Sequence, residues 1–195
     1  MNLLETCEVA WRQLFPNPSD EVAITLEEFI STGKTEYAYE MWLKARNDKR
    51  EDGSFDVPSN ILVETDLPIS NNQMDISSLN ILRSIPEEKW LQNIGGLKCG
   101  CEYVKSDINK IALLCDDDSL DDAAKTYYVV GNKIKFPLGT HATSLPIIYA
   151  TSGEDINGEI DIDDAIAGII RTRLIDIYAN RIGREDVTNN SNSVI

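Results

Sequence analysis

Histidine is nearly missing from this chain: there is one, His141, among 195 residues. That argues against imidazole-rich metal centres. It also leaves nucleophile–base catalysis short of its usual base, since Thr140-His141-Ala142-Thr143 reads as a loop with no partnered serine or cysteine. Cations are scarce as well. Eighteen Lys and Arg face 33 Asp and Glu, a formal charge of −15 and a pI near 4.4, so binding DNA or RNA through phosphate neutralisation is disfavoured. Long apolar runs are absent: no stretch approaches the roughly 18 residues of a membrane helix. The N-terminal MNLLETCEVAW has no basic segment leading into an apolar core, so an unprocessed chain made in the cytosol, with no membrane partner, is expected. Cysteine is sparse, at Cys7, Cys99, Cys101 and Cys115. Cys99-Gly100-Cys101 is a CxC pair rather than the CxxC of zinc or redox sites, so structural thiols are expected and no metal.

What is present is helical at both ends. Leu3, Leu4, Cys7, Ala10, Trp11 and Leu14 draw one apolar stripe, predicting a first helix that stops at Pro16-Asn17-Pro18. Thr25 and Glu28 form a capping-box pattern. Leu26, Phe29, Ile30, Gly33, Tyr37, Met41, Trp42 and Ala45 continue it as a second helix, with Lys44, Arg46, Lys49 and Arg50 at its C-terminal end. From Ile166 through Ile169, Ile170, Leu174, Ile177, Tyr178 and Ile182 the helical period returns, predicting a closing helix over about 163–182 with Gly183 as its cap.

Between these lies β-type sequence, broken by Pro58, Pro68, Pro86, Gly95-Gly96 and Gly131-Asn132. The predicted strands are 61–65, 75–85, 98–105, 126–130, 133–136 and 146–150, with Gly131-Asn132 as a two-residue hairpin turn. PEEKWLQ is expected to be a helical turn and CDDDSLDDAAK an acidic loop. The fold class expected is α+β. Residues 1–52 form an N-terminal helical part, 53–150 a β-rich insert, 151–184 a closing segment and helix packed on the first two, and 185–195 a flexible tail or arm.

Three motifs invite a chemical reading. STGKT at Ser31 to Thr35 has the end of a phosphate-binding loop, but the required glycine five residues before Gly33 is Glu28 and the setting is helical. GEDINGEIDIDD, from Gly153 to Asp164, has the turn glycine of a calcium loop at Gly158, with Asp155 and Asn157 at ligand positions. Gly153, however, stands where a first ligating Asp is needed, and Asp164 is too short to repeat the bidentate Glu. The stretch is better read as an Asn157-Gly158 turn, an alternating Glu159-Ile160-Asp161-Ile162 segment that docks its isoleucines, and an N-cap at Asp163 or Asp164. A calcium-responsive binding module using Asp155, Asn157, Asp161 and Asp164 is the alternative function. A hydrolase with metals on Asp116, Asp117, Asp118, Asp121 and Asp122 is a third. The leading expectation is a chain that is not an enzyme and has no cofactor.

The helix pair, β insert and closing helix resemble bacteriophage head-to-tail connector and tail adaptor proteins. KIKFP followed by LPIIYA, an acidic turn and a long helix carry that likeness over Gly131 to Gly183. The stretches EEFISTGKTEYAYEMWLKARNDKREDGSFDVPS, KWLQNIGGLKC and REDVTNNSNS resemble virion ring proteins of crAss-like phages. The resemblance implies a structural protein of the virion neck or tail, made in the host bacterial cytoplasm. It would form a homo-oligomeric ring, a dodecamer, at the portal vertex, with the portal protein and other neck or tail ring proteins as neighbours. Duplex DNA would pass through it during genome ejection as non-adhering cargo, which an acidic lumen suits. Under this reading Trp42, Trp90, Asp116, Asp117, Asp118, Asn189 and Asn190 are the candidate oligomer or partner contacts.

Overall fold

The computed structural model describes residues 1–16, 24–48, 56–85, 89–95, 103–106, 125–137, 140 and 142–191, with side chains up to residue 182. The fold is α+β. Chain contacts divide it into two compact units, Met1–Ile61 with Ser152–Ile195, and Leu62–Thr151.

The first unit is built on three helices: α1 (Leu3–Leu14), α2 (Leu26–Asn47) and α3 (Asp164–Ser191). Each starts on a side chain that accepts an otherwise unpaired N–H. Asn2 Oδ1 accepts from Glu5 N–H at 2.8 Å while the Glu5 carboxylate accepts from Asn2 N–H at 3.0 Å, a complete capping box. Thr25 Oγ1 accepts from Glu28 N–H at 3.1 Å, and Asp163 Oδ1 from Ile166 N–H at 2.8 Å. Helix α3 runs through Gly183 to Ser191, nine residues beyond the expected end. Gly183 is therefore not a cap, and Asn189 and Asn190 lie on the helix rather than in a tail. Glycine costs a helix interior only about 1 kcal/mol, which the long helical run from Asp164 to Ile182 can carry.

Each helix touches the other two. Leu3, Cys7 and Ala10 of α1, Phe29, Tyr37 and Trp42 of α2, and Ile166, Ile170, Leu174 and Tyr178 of α3 are buried. The i, i+4 repetition on α3 aims four large side chains along one line, each contributing about 1.5–3 kcal/mol of burial. The closest approach is at Gly33. A Cβ added there would lie 2.3 Å from Cys7 Sγ and 3.3 Å from Leu174 Cδ1, so all three helices meet where one residue has no side chain.

Among its described residues the second unit holds two sheets. In one, β7 (Ser144–Ala150) is the centre, with β1 (Leu62–Pro68) and β3 (Leu91–Ile94) antiparallel on its two sides. In the other, the order is β2 (Gln73–Asp75), β6 (Lys133–Lys135), β5 (Thr126–Val130) and β4 (Val104–Lys105), with only the β4–β5 pair parallel. The Gly131-Asn132 hairpin forms as expected: Val130 faces Lys133 and Gly131 has φ 59°. A second tight turn, at Asn71-Asn72, has φ of 52° and 58° and joins Ser70 to Gln73 by two backbone hydrogen bonds. Asn tolerates this left-handed region because its short side chain can hydrogen-bond locally.

Two expected elements differ. Residues 75–85 are not one strand: β2 ends at Asp75, whose Oδ1 accepts from Ser77 N–H at 2.8 Å and turns the chain. A hydrogen bond from the Ser77 side chain, and then this backbone bond, hold the Asp75 carboxyl below its usual pKa, with a smaller contribution from Lys133. Trp90-Leu91-Gln92, expected in a helical turn, instead leads into β3. Ala150 N–H donates to Trp90 O at 2.7 Å and Gly95 N–H to Pro146 O at 2.9 Å, so the second edge of β7 is satisfied by this segment.

The Gly33 contact supplies a test. Gly33→Ala is expected to destabilise the chain by about 1–3 kcal/mol in urea unfolding despite the better helix former, because the methyl overlaps the Cys7 sulfur. In Cys7→Ala/Gly33→Ala the nearest α1 atom becomes Cβ at 3.7 Å. The double variant should therefore be more stable than the sum of the single ones by about 1 kcal/mol or more.

Candidate functional site

Neither tryptophan proposed as an interface anchor is at the surface. Trp42 is 1% and Trp90 5% exposed, so each fills the core of its own unit and offers no area to a partner. Trp42 lies near-parallel to Tyr39 at 6.4 Å between centroids and has the Arg46 guanidinium 5.6 Å over its ring. Asp116, Asp117, Asp118, Asp121, Asp122, His141, Cys99, Cys101 and Cys115 lie outside the described residues.

The segment from Gly153 to Asp164 is a joint within the helical unit. Gly153 has φ 62° and its N–H donates to Thr35 Oγ1 at 3.1 Å, so a hydroxyl of STGKT, in the middle of α2, holds the start of the turn. Asn157 Oδ1 accepts from Glu159 N–H at 3.0 Å. The chain then pairs with the N-terminus: Leu4 N–H donates to Gly158 O at 2.8 Å, Leu3 N–H to Ile160 O at 3.0 Å, and Ile162 N–H to Met1 O at 3.1 Å. Ile162 is buried and Ile160 half-buried, while Glu154, Asp155, Glu159, Asp161 and Asp164 are exposed. Among the described residues no three His, Cys, Asp or Glu side chains come together to hold an ion. Adding millimolar calcium is therefore expected to leave the thermal melting temperature unchanged, whereas a strong site would raise stability by several kcal/mol at excess ion.

Antiparallel α2 and α3 share a polar seam that sequence reading missed. Glu28 Oε1 accepts from Arg181 Nη1 at 2.6 Å, Thr32 Oγ1 is 2.7 Å from Tyr178 Oη, and Arg173 reaches Glu36 at 3.0 Å and Glu40 at 2.5 Å. The signal was in the spacing: residues 28, 32, 36 and 40 recur every four positions on α2, and 173 and 181 lie two turns apart on α3. Glu28 thus spends its carboxylate on Arg181, which explains why Thr25 caps α2 without the reciprocal half of the box.

At one end of this seam a groove of about 390 Å³ opens between the last turns of α2 and the first of α3. Leu43, Ile166 and Ile169 supply its apolar lining, and Glu40, Lys44, Asp48 and Asp163 its charges. Lys44 Nζ is 3.8 Å from Asp163. Ile169 and, two turns further along α3, Ile177 are 40% and 41% exposed. Both were expected in the core. The α3 apolar face is wider than α1 and α2 can cover, and the surplus faces outward.

Cys7 is the described thiol, and it is no nucleophile. Burial pushes its pKa from 9.0 up to about 12, with Glu8 adding and nearby Lys34 opposing. The unfolded thiol loses its proton near the ordinary value while the folded one keeps it, so the unfolded state binds fewer protons and stability falls as pH rises from about 9 to 12. The loss is expected at about 1.4 kcal/mol per pH unit in that window. Urea unfolding of Cys7→Ala should show a correspondingly flatter alkaline limb than the native chain.

The chain matches no protein-family model and no curated protein. Among the described residues no helix is long and apolar enough to cross a membrane.

Proposed function

We propose that the chain is a structural ring subunit of a bacteriophage neck or tail, placed between portal and tail and bordering the DNA passage. The observation that carries this reading is the order of its elements. A helix pair is followed by a β-rich unit, then strand Lys133–Lys135, strand Ser144–Ala150, the acidic joint and the long helix Asp164–Ser191. That is the closing order of the connector subunits the sequence resembles. Surface chemistry adds support. A subunit of charge −15 repels duplex DNA, so a conduit built from it lets the genome slide. The exposed Ile169 and Ile177 provide apolar area that a lone subunit leaves in water and a neighbour can cover. The reading assigns no reaction to the chain and requires no cofactor.

Electron microscopy and native mass spectrometry of the chain with its portal protein are the test. A closed ring of identical copies, a dodecamer in the form the resemblance implies, docked on the portal is the expected result. A chain that stays monomeric and never joins the portal overturns the reading.

A further inference from the structure

We propose that neighbouring copies join head to tail, with the outer face of the four-stranded sheet of one copy seated on the α2–α3 groove of the next. This rests on the ring reading and supplies its contact.

The first surface is the groove. Its floor is Leu43, Ile166 and Ile169, and three of its four charged lining residues, Glu40, Asp48 and Asp163, are carboxylates. Arg173 is shared between Glu36 and Glu40, and Lys44 lies within 3.8 Å of Asp163. Asp48 then stands at the C-terminal end of α2, where the last helical carbonyls add partial negative charge, while Asp163 caps the positive N-terminal end of α3. Such a site takes an apolar side chain flanked by cations, not another acidic surface.

The second surface has that chemistry. Strand register places Lys135 opposite Tyr128 and Lys133 opposite Val130, and Val104 beside Thr126, all on one face. The opposite face carries the buried Met74, Tyr127 and Ile134. Val104 is 65% and Val130 45% exposed, so the outer face presents two bare valines and two lysines, opposed among the described residues of β2, β4, β5 and β6 by the single carboxylate of Asp75. In a chain of charge −15 a cationic apolar face is the exception, and the groove is its complement in sign and polarity.

Because the two surfaces differ, a pair joined this way leaves one of each free. A heterologous contact of this kind propagates, closing as a ring when the rotation between copies closes and running on as a filament when it does not, whereas a two-fold contact stops at a dimer.

Charge exchange in trans tests the contact. Lys133→Glu/Lys135→Glu sets acid against acid, and Asp48→Lys sets cation against cation. At physiological ionic strength each variant alone is expected to lose about ten- to a hundredfold in association constant by light scattering. Thermal melting should show both still folded, since all three positions are exposed or half-buried. An equimolar mixture restores attraction at every contact, so rings of alternating composition should form, countable by native mass spectrometry. If native chains form rings and either variant assembles equally well alone, this contact is wrong and the ring reading stands. A mixture that stays apart overturns the contact as well. Should the two surfaces bind within one chain, the variants would lower the melting temperature of dilute monomer and the mixture would not rescue it, which also overturns the proposal. Native chains that remain monomeric with portal present overturn both readings together.

Discussion

Gly33 has no side chain, and the helical unit depends on that. Cys7 Sγ occupies space that any Cβ at position 33 would need, so α1 lies close against α2 and Leu174 of α3 closes over the same point. With α1 held there, the N-terminal residues reach the chain entering α3. Met1, Leu3 and Leu4 exchange backbone hydrogen bonds with Gly158, Ile160 and Ile162. The N-terminal residues are thereby tied to the segment that leads into α3, and residues 62–151 form a separate unit.

The acidic composition is distributed by the same arrangement. Carboxylates that face α3 from α2 are paired with Arg173 and Arg181, and Asp163 is used as a helix cap. The other acids of the joint lie in water. An exposed carboxylate costs the fold little, so a surface of strong negative charge is compatible with an ordinary apolar core. Two places among the described residues differ from that pattern: a groove with an apolar floor, and a sheet face with lysines and valines.

Much of the fold was legible in the residues themselves. Periodicity located the three helices among the described residues, Thr25 marked the start of α2, and Gly131-Asn132 marked the hairpin. GEDINGEIDIDD was legible as a turn, an extended stretch and a cap, because Asn-Gly and Asp carry their local geometry with them. The errors share a cause. Leu91–Ile94 is a strand because β7 has a second edge to satisfy, and a short apolar run does not announce its partner. Trp42 and Trp90 show the same limit: they were chosen for their type, but whether a large aromatic is core or contact depends on what surrounds it, and both are buried.

Sequence by itself determined the properties that arise within a few residues or from composition: net charge, helix spacing, caps and tight turns. Those follow from local sterics, hydrogen bonding and simple counting. Tertiary structure alone decided which apolar positions on α3 were surplus, since Ile166 and Ile169 are equivalent in type and differ only in whether α1 and α2 reach them. It also decided that Glu28, Glu36 and Glu40 would meet Arg173 and Arg181, more than 130 residues away. Long-range pairs of this kind exist only once two helices have been brought side by side.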